Sequence, residues 1–203
     1  MSFSVLFVCT GNICRSPIAE RLFRARVPAE APMIISSAGT MALIGYPMDA
    51  ACEQALRELG GDGAEHVGRM LSSAMVADAD LILSAETAHR SAIVQDQPAV
   101  FRRAFTIREF GRLGATLAPP TPAAQHFAWP PPPPPPPTTT SLRQRVAAVA
   151  DQRGRADAPE PGADEIGDPF GAPLQVARDC AAEIAQALDA VIATLGVGLP
   201  AER

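Results

Sequence analysis

A cysteine and an arginine with five residues between them, Cys9-Thr10-Gly11-Asn12-Ile13-Cys14-Arg15, put a nucleophile and an oxyanion ligand on one short loop. An apolar run precedes the loop and a helix-like segment follows it, so Cys9 sits at a strand end facing a helix N-terminus. Unpaired N–H groups and the helix dipole favour negative charge there. Ser16 reads as the N-cap and Pro17 as the first helical residue. Gly11 and Asn12 tolerate positive φ, which lets successive amides curl inward as an anion nest. Thr10, Gly11, Asn12, Ile13, Cys14 and Ser16 are therefore candidate phosphate-binding positions.

A free cysteine has a pKa of about 8.5, and inward amides, a helix N-terminus and Arg15 all favour the thiolate. Cys9 is the candidate nucleophile. Arg15 offers a planar fork that can hold two phosphoryl oxygens. A Walker A loop is excluded, because that motif needs a lysine and the chain contains none. The plain alternative is a buried structural cysteine beside a capping serine. The same thiolate would oxidise readily, with Cys14 on the loop as a resolving thiol.

The string Val8-Cys9-Thr10-Gly11-Asn12-Ile13-Cys14-Arg15-Ser16-Pro17-Ile18-Ala19-Glu20 resembles the phosphate-binding loop of the low-molecular-weight protein tyrosine phosphatases. The resemblance continues through Ser36-Ser37-Ala38-Gly39-Thr40, Ala79-Asp80-Leu81-Ile82-Leu83, Phe105-Thr106-Ile107-Arg108-Glu109-Phe110 and Asp168-Pro169-Phe170-Gly171. It spans roughly residues 3–114 and 164–195. It implies a phosphocysteine mechanism without a cofactor or metal, with Asp168 as general acid and then base. Asp157 and Asp164 are the nearby fallbacks. It also implies loop support by Asn12, Ser16, Ser37 and His66, although a surface histidine is the other reading of His66. Ile13, Leu43 and Phe170 align with the walls of the substrate cleft. Phe170 stands where a tyrosine is usual, and Leu43 where an aromatic is often found.

The implied substrate is a phosphotyrosine-containing protein, a bacterial tyrosine kinase among the candidates. One rival is protein-arginine phosphatase, whose loop has threonine where Ile13 stands. Another is thioredoxin-coupled arsenate reductase, which needs two further relay cysteines, and residues 53–179 contain none. A catalytically silent phosphate-binding adaptor is the reading from outside enzymology.

The elements that must position these groups follow from periodicity. Apolar runs at 3–8, 33–35, 81–83 and 100–105 alternate with helix-like segments at 17–27, 49–59, 88–95 and 107–113. Alternation of this kind predicts parallel strands joined by right-handed crossovers, a doubly wound α/β fold with helices on both faces. Ligands bind beyond the carboxyl ends of such strands at the switch point, where Cys9 falls. The strand order 2-1-3-4 is adopted from the resemblance. Ser141 to Gln144 reads as a capping box opening a short helix that runs to about Arg153, residues 154–167 as a loop, and 174–195 as a closing amphipathic helix.

Length and composition set the frame. The 203 residues are 47% hydrophobic and 19% charged, enough for one well-buried domain over 1–203. A low-complexity insert at about 115–140 interrupts it, with an unbroken proline run at 130–137. The insert reads as a tolerated surface spacer, with docking on an SH3-like groove as the alternative. A formal net charge of −5 excludes a general nucleic-acid or acidic-membrane partner. The four cysteines lack zinc-ligand spacing and the three histidines are scattered. Neither a signal peptide nor a membrane span is visible, so the expected compartment is the cytoplasm, where Cys9 stays reduced.

Overall fold

Near-continuous apolar runs make poor half-exposed strands and good strands of a sheet covered on both faces. The computed structural model has that sheet, and it describes residues 2–29, 31–117, 137–156 and 159–198. Four parallel strands, β1 (Phe3–Cys9), β2 (Met33–Gly39), β3 (Leu81–Ser84) and β4 (Ala104–Thr106), lie in the order β2-β1-β3-β4. Successive side chains of β1 serve different layers. Phe3, Val5 and Phe7 pack into the larger core with α1 (Arg15–Arg26), α2 (Ala50–Glu58), α5 (Ile107–Gly114), α6 (Thr139–Ala150) and α7 (Leu174–Leu195). Leu6 and Val8 face the smaller core with α3 (Ser73–Asp78) and α4 (Thr87–Asp96). The chain turns one way from β1 to β2 and the other way to β3, so the switch point lies at the carboxyl end of β1.

The expected layout needs four adjustments. The strand expected at 100–105 begins only at Ala104, because Pro98 opens a 3-10 turn over Pro98–Arg103 and cannot donate to a ladder. β2 runs on through Ser36 and Ser37 to Gly39, paired residue for residue with β1 up to Cys9. Serines lack strand propensity, and backbone pairing supplied what propensity could not. α6 starts from a capping box of Thr138 and Ser141 instead of Ser141 and Gln144, and ends at Ala150. The six-residue α3, capped by Ser72, is too short to give a periodic signal.

α7 closes the larger core as expected. Ala177, Ala181, Ile184, Leu188, Val191 and Leu195 recur at helical spacing and are all buried. Residues 130–136 of the proline run lie outside the described residues, as does Asp157. No helix among the described residues is long and apolar enough to cross a membrane.

Candidate active site

The loop from Cys9 to Arg15 is shaped by what its carbonyls do. Those of Cys9, Thr10, Gly11 and Ile13 accept N–H bonds from Thr40, Met41, Leu43 and Asp49 at 2.9–3.0 Å. With these carbonyls drawn to the following loop, the amides of Asn12 and Ser16 are left to favour negative charge on the Cys9 sulfur. Asn12 takes the positive φ, at 54°, and Gly11 does not. An asparagine in that conformation needs outside support. Its Nδ2 donates to Ser16 Oγ and Ser37 Oγ at 2.9 Å each, its Oδ1 accepts from the Arg69 amide at 3.0 Å, and its carbonyl lies 2.7 Å from His66 Nε2. Ser37 donates onward to Glu20 at 2.6 Å. His66 is thus buried against the loop, which disposes of the surface reading.

Ser16 differs from expectation. The helix begins at Arg15 with Cys14 in the N-cap position, and no side chain caps it. The Ser16 hydroxyl lies 3.0 Å from Cys9 Sγ instead. Since that oxygen accepts from Asn12, its own hydrogen is free to point at the sulfur. The expectation of a lowered thiol pKa also needs correction. Burial pushes the Cys9 thiol up, and the Ser16 hydroxyl, the Ser16 and Asn12 amides and Arg15 pull it back without overcoming that effect.

Arg15 is only 2% exposed yet carries three acceptors. Its NH1 pairs with Glu86 and donates to the Ile166 carbonyl at 3.0 Å, and its NH2 lies 3.1 Å from Asp168 Oδ2. Its Nε has no hydrogen-bond partner among the described residues. Asp168 therefore stands over the guanidinium that follows the thiol loop, with its side chain 47% exposed to incoming solvent or substrate. The segment carrying it is tied down nearby. Arg112 holds Asp164 through two bonds of 3.1 and 2.7 Å, the Ile166 amide donates to Ala85, and Glu165 accepts from the Thr87 amide at 3.0 Å. Asp164 is committed to Arg112, which removes it as a fallback acid.

The wall residues divide. Ile13 is 6% exposed and belongs to the larger core, so it presents little surface to a cleft. Leu43 and Phe170 are 38% and 59% exposed, Leu43 bonded to Gly11 through its amide and Phe170 through its amide to Asp168 Oδ1. Ile44 and Tyr46, close to Leu43 in the chain, are exposed as well. Glu86 and His89 were not foreseen. His89 is buried, with Nε2 2.8 Å from the Thr10 hydroxyl and burial holding its pKa down. Their only signal was position, just past the carboxyl end of β3 beside Cys9. A cavity of about 600 Å³ opens between α5, α6 and α7, but its lining holds neither a cysteine, a histidine nor a carboxylate.

Residues 4–116 match the family model described as low molecular weight phosphotyrosine protein phosphatase. The chain belongs to that family. It is 41% identical over 97 residues to the Escherichia coli low molecular weight protein-tyrosine-phosphatase Etp, a match covering 48% of this chain and 64% of Etp. The chain thus spans slightly less than two thirds of that relative. The low molecular weight protein tyrosine phosphatase of T. tengcongensis superposes with a TM-score of 0.65 at 27% identity, over 94% of this chain and 98% of the other. The YwlE arginine phosphatase of Geobacillus stearothermophilus superposes at 0.62 and 23% identity, over 93% and 90% of the two chains, a likeness of fold alone. The family match ends before α6, so in this member of the family the placement of Asp168 rests on tertiary structure.

Proposed function

We propose that this chain is a phosphatase that hydrolyses protein phosphotyrosine and small aryl phosphates through a phosphocysteine intermediate. The observation that carries the reading is the pairing of Asp168 with Arg15 at 3.1 Å beside the buried Cys9 thiol. In the first step the Cys9 sulfur attacks phosphorus, the bond to the tyrosyl oxygen breaks, and Asp168 delivers its proton to that oxygen. In the second, Asp168 takes a proton from water, the water oxygen bonds phosphorus, and the phosphorus–sulfur bond breaks to return the thiolate. Arg15 and the inward amides stabilise the equatorial oxygens in both steps. Ser16 stabilises the departing sulfur, while Asn12, Ser37 and His66 hold the loop in shape. None of these steps calls on a metal or cofactor.

Leu43, Tyr46 and Phe170 supply an apolar rim suited to an aryl ring, and Ile13 contributes no acceptor for a guanidinium. These features favour phosphotyrosine over phosphoarginine, and a phosphotyrosine protein such as a tyrosine kinase as the partner. Cys9→Ser is expected to abolish turnover of aryl phosphates while retaining phosphate binding. Asp168→Ala should slow poor leaving groups by about 10²–10⁴-fold and activated ones far less. Substantial turnover by the serine variant would overturn the phosphocysteine step, and a kcat/KM ratio favouring phosphoarginine would overturn the substrate.

A further inference from the structure

Where the end of the phosphate loop meets the start of α2, Cys14, Asp49 and Cys52 each place one ligand atom within 4.8 Å of the others. Cys14 ends the loop, Asp49 caps α2, and Cys52 lies in the first turn of α2. The backbone fixes this meeting. The Asp49 amide donates to the Ile13 carbonyl at 2.9 Å, and Asp49 Oδ1 accepts from the Ala51 and Cys52 amides at 3.0 and 3.1 Å. That cap orients the carboxylate and turns Oδ2 to other use. Both thiols are free and buried, and the Cys52 thiol is pushed up by its hydrogen bond with Cys14, by burial and by the Asp49 charge. The proposed phosphoryl transfer uses the side chain of neither.

Two cysteines alone would be ordinary core filling. A carboxylate held against two thiols is different, because the three together make a soft, anionic ligand set once the thiols ionise. We propose that Cys14, Cys52 and Asp49 form a second site that binds a d10 divalent metal ion of the zinc class. Bonds of about 2.3 Å to sulfur and 2.0–2.2 Å to oxygen put tetrahedral ligand atoms roughly 3.5–3.8 Å apart, a closure of about 1 Å from the observed limit. Two thiol protons pass to solvent as two metal–sulfur bonds form. The two thiolates and one carboxylate then exceed the ion's charge by one, and the α2 N-terminus favours that excess. Asp49 is half-buried, so water would have a route to a fourth position on a bound ion. Because Cys14 precedes Arg15, an ion here ties metal availability to the phosphate loop. The site does not depend on the phosphatase reading.

The test uses the full chain carrying Cys9→Ser, so that the nucleophile cannot ligate, titrated with cadmium under a non-thiol reductant. A saturable thiolate-to-cadmium charge-transfer band at one ion per chain is expected. Cys52→Ala in that background should lose at least half of the band, and Asp49→Asn, which keeps an oxygen for the cap, should weaken binding at least tenfold. Zinc should also raise the Tm of the native protein and leave that of the folded Cys52→Ala variant unmoved. Absence of a saturable band in the Cys9→Ser protein overturns the site, as does a band or Tm rise that survives Cys52→Ala unchanged.

Discussion

At the scale of single residues the decisive group is the Ser16 hydroxyl. It receives a hydrogen from Asn12 and keeps its own to give to a Cys9 thiolate, and it is the strongest of the groups opposing the upward push of burial on the thiol. A hydrogen bond to a charged group contributes about 1.5–3 kcal/mol, and one pKa unit corresponds to about 1.36 kcal/mol. Ser16→Ala is therefore expected to raise the Cys9 pKa by roughly one to two units. In the proposed phosphocysteine mechanism the nucleophile is the thiolate, whose fraction falls away below that pKa, so the acid limb of kcat/KM should move to higher pH by the same amount. The pH dependence of Cys9 alkylation by iodoacetamide measures the shift directly, and an unmoved profile would show that Ser16 only fills space.

Among elements, the end of β2 matters most. Gly39 pairs with Cys9 across the ladder, and a Cβ there would stand 2.4 Å from the Thr10 carbonyl oxygen and 3.0 Å from the Asn12 amide nitrogen. These are backbone atoms of the loop itself, so no side-chain rotation relieves the clash. Gly39→Ala should cost about 1–3 kcal/mol of stability, in the range of overpacked cores, and should lower kcat/KM on aryl phosphates by at least tenfold through a displaced loop. Urea unfolding and steady-state assays check the two parts separately. A variant destabilised but fully active would mean that β2 yields and the loop does not.

For the molecule as a whole, two buried histidines set a pH dependence of stability. Burial holds His66 and His89 below the usual imidazole range, so the folded state binds fewer protons than the unfolded chain. Their contribution is complete above the unfolded pKa of about 6.5 and is lost as pH falls through the lower folded values. The Tm should fall on going from about pH 7.5 to about pH 5.5, and less steeply in His66→Gln, which keeps a donor for the Asn12 carbonyl. Differential scanning calorimetry across that window decides it. The insert is the other matter of whole-chain design. Asp168 is held by Arg15, and its segment by Arg112, Ala85 and Thr87, none of which belongs to residues 115–140. Replacing 119–136 by a short Gly/Ser linker should leave kcat/KM within a fewfold, and a large loss would make the insert part of the acid's positioning.

Some of this was legible without coordinates. The loop string from Cys9 to Pro17 declares an anion site because thiol, turn formers and guanidinium lie within one turn of chain. The strand and helix alternation and the span of α7 follow from apolar periods that local sequence carries in full. Tertiary structure alone decided the rest. It pairs Arg15 with Asp168 and Glu86, rests His89 on Thr10, and redirects Ser16 from its own helix to the Cys9 sulfur. It also gathers Cys14, Asp49 and Cys52, whose spacing along the chain resembles no metal motif. Such contacts join residues from different strands, loops and helices, and their distance is set by how the sheet is wound, a quantity that no local spacing encodes.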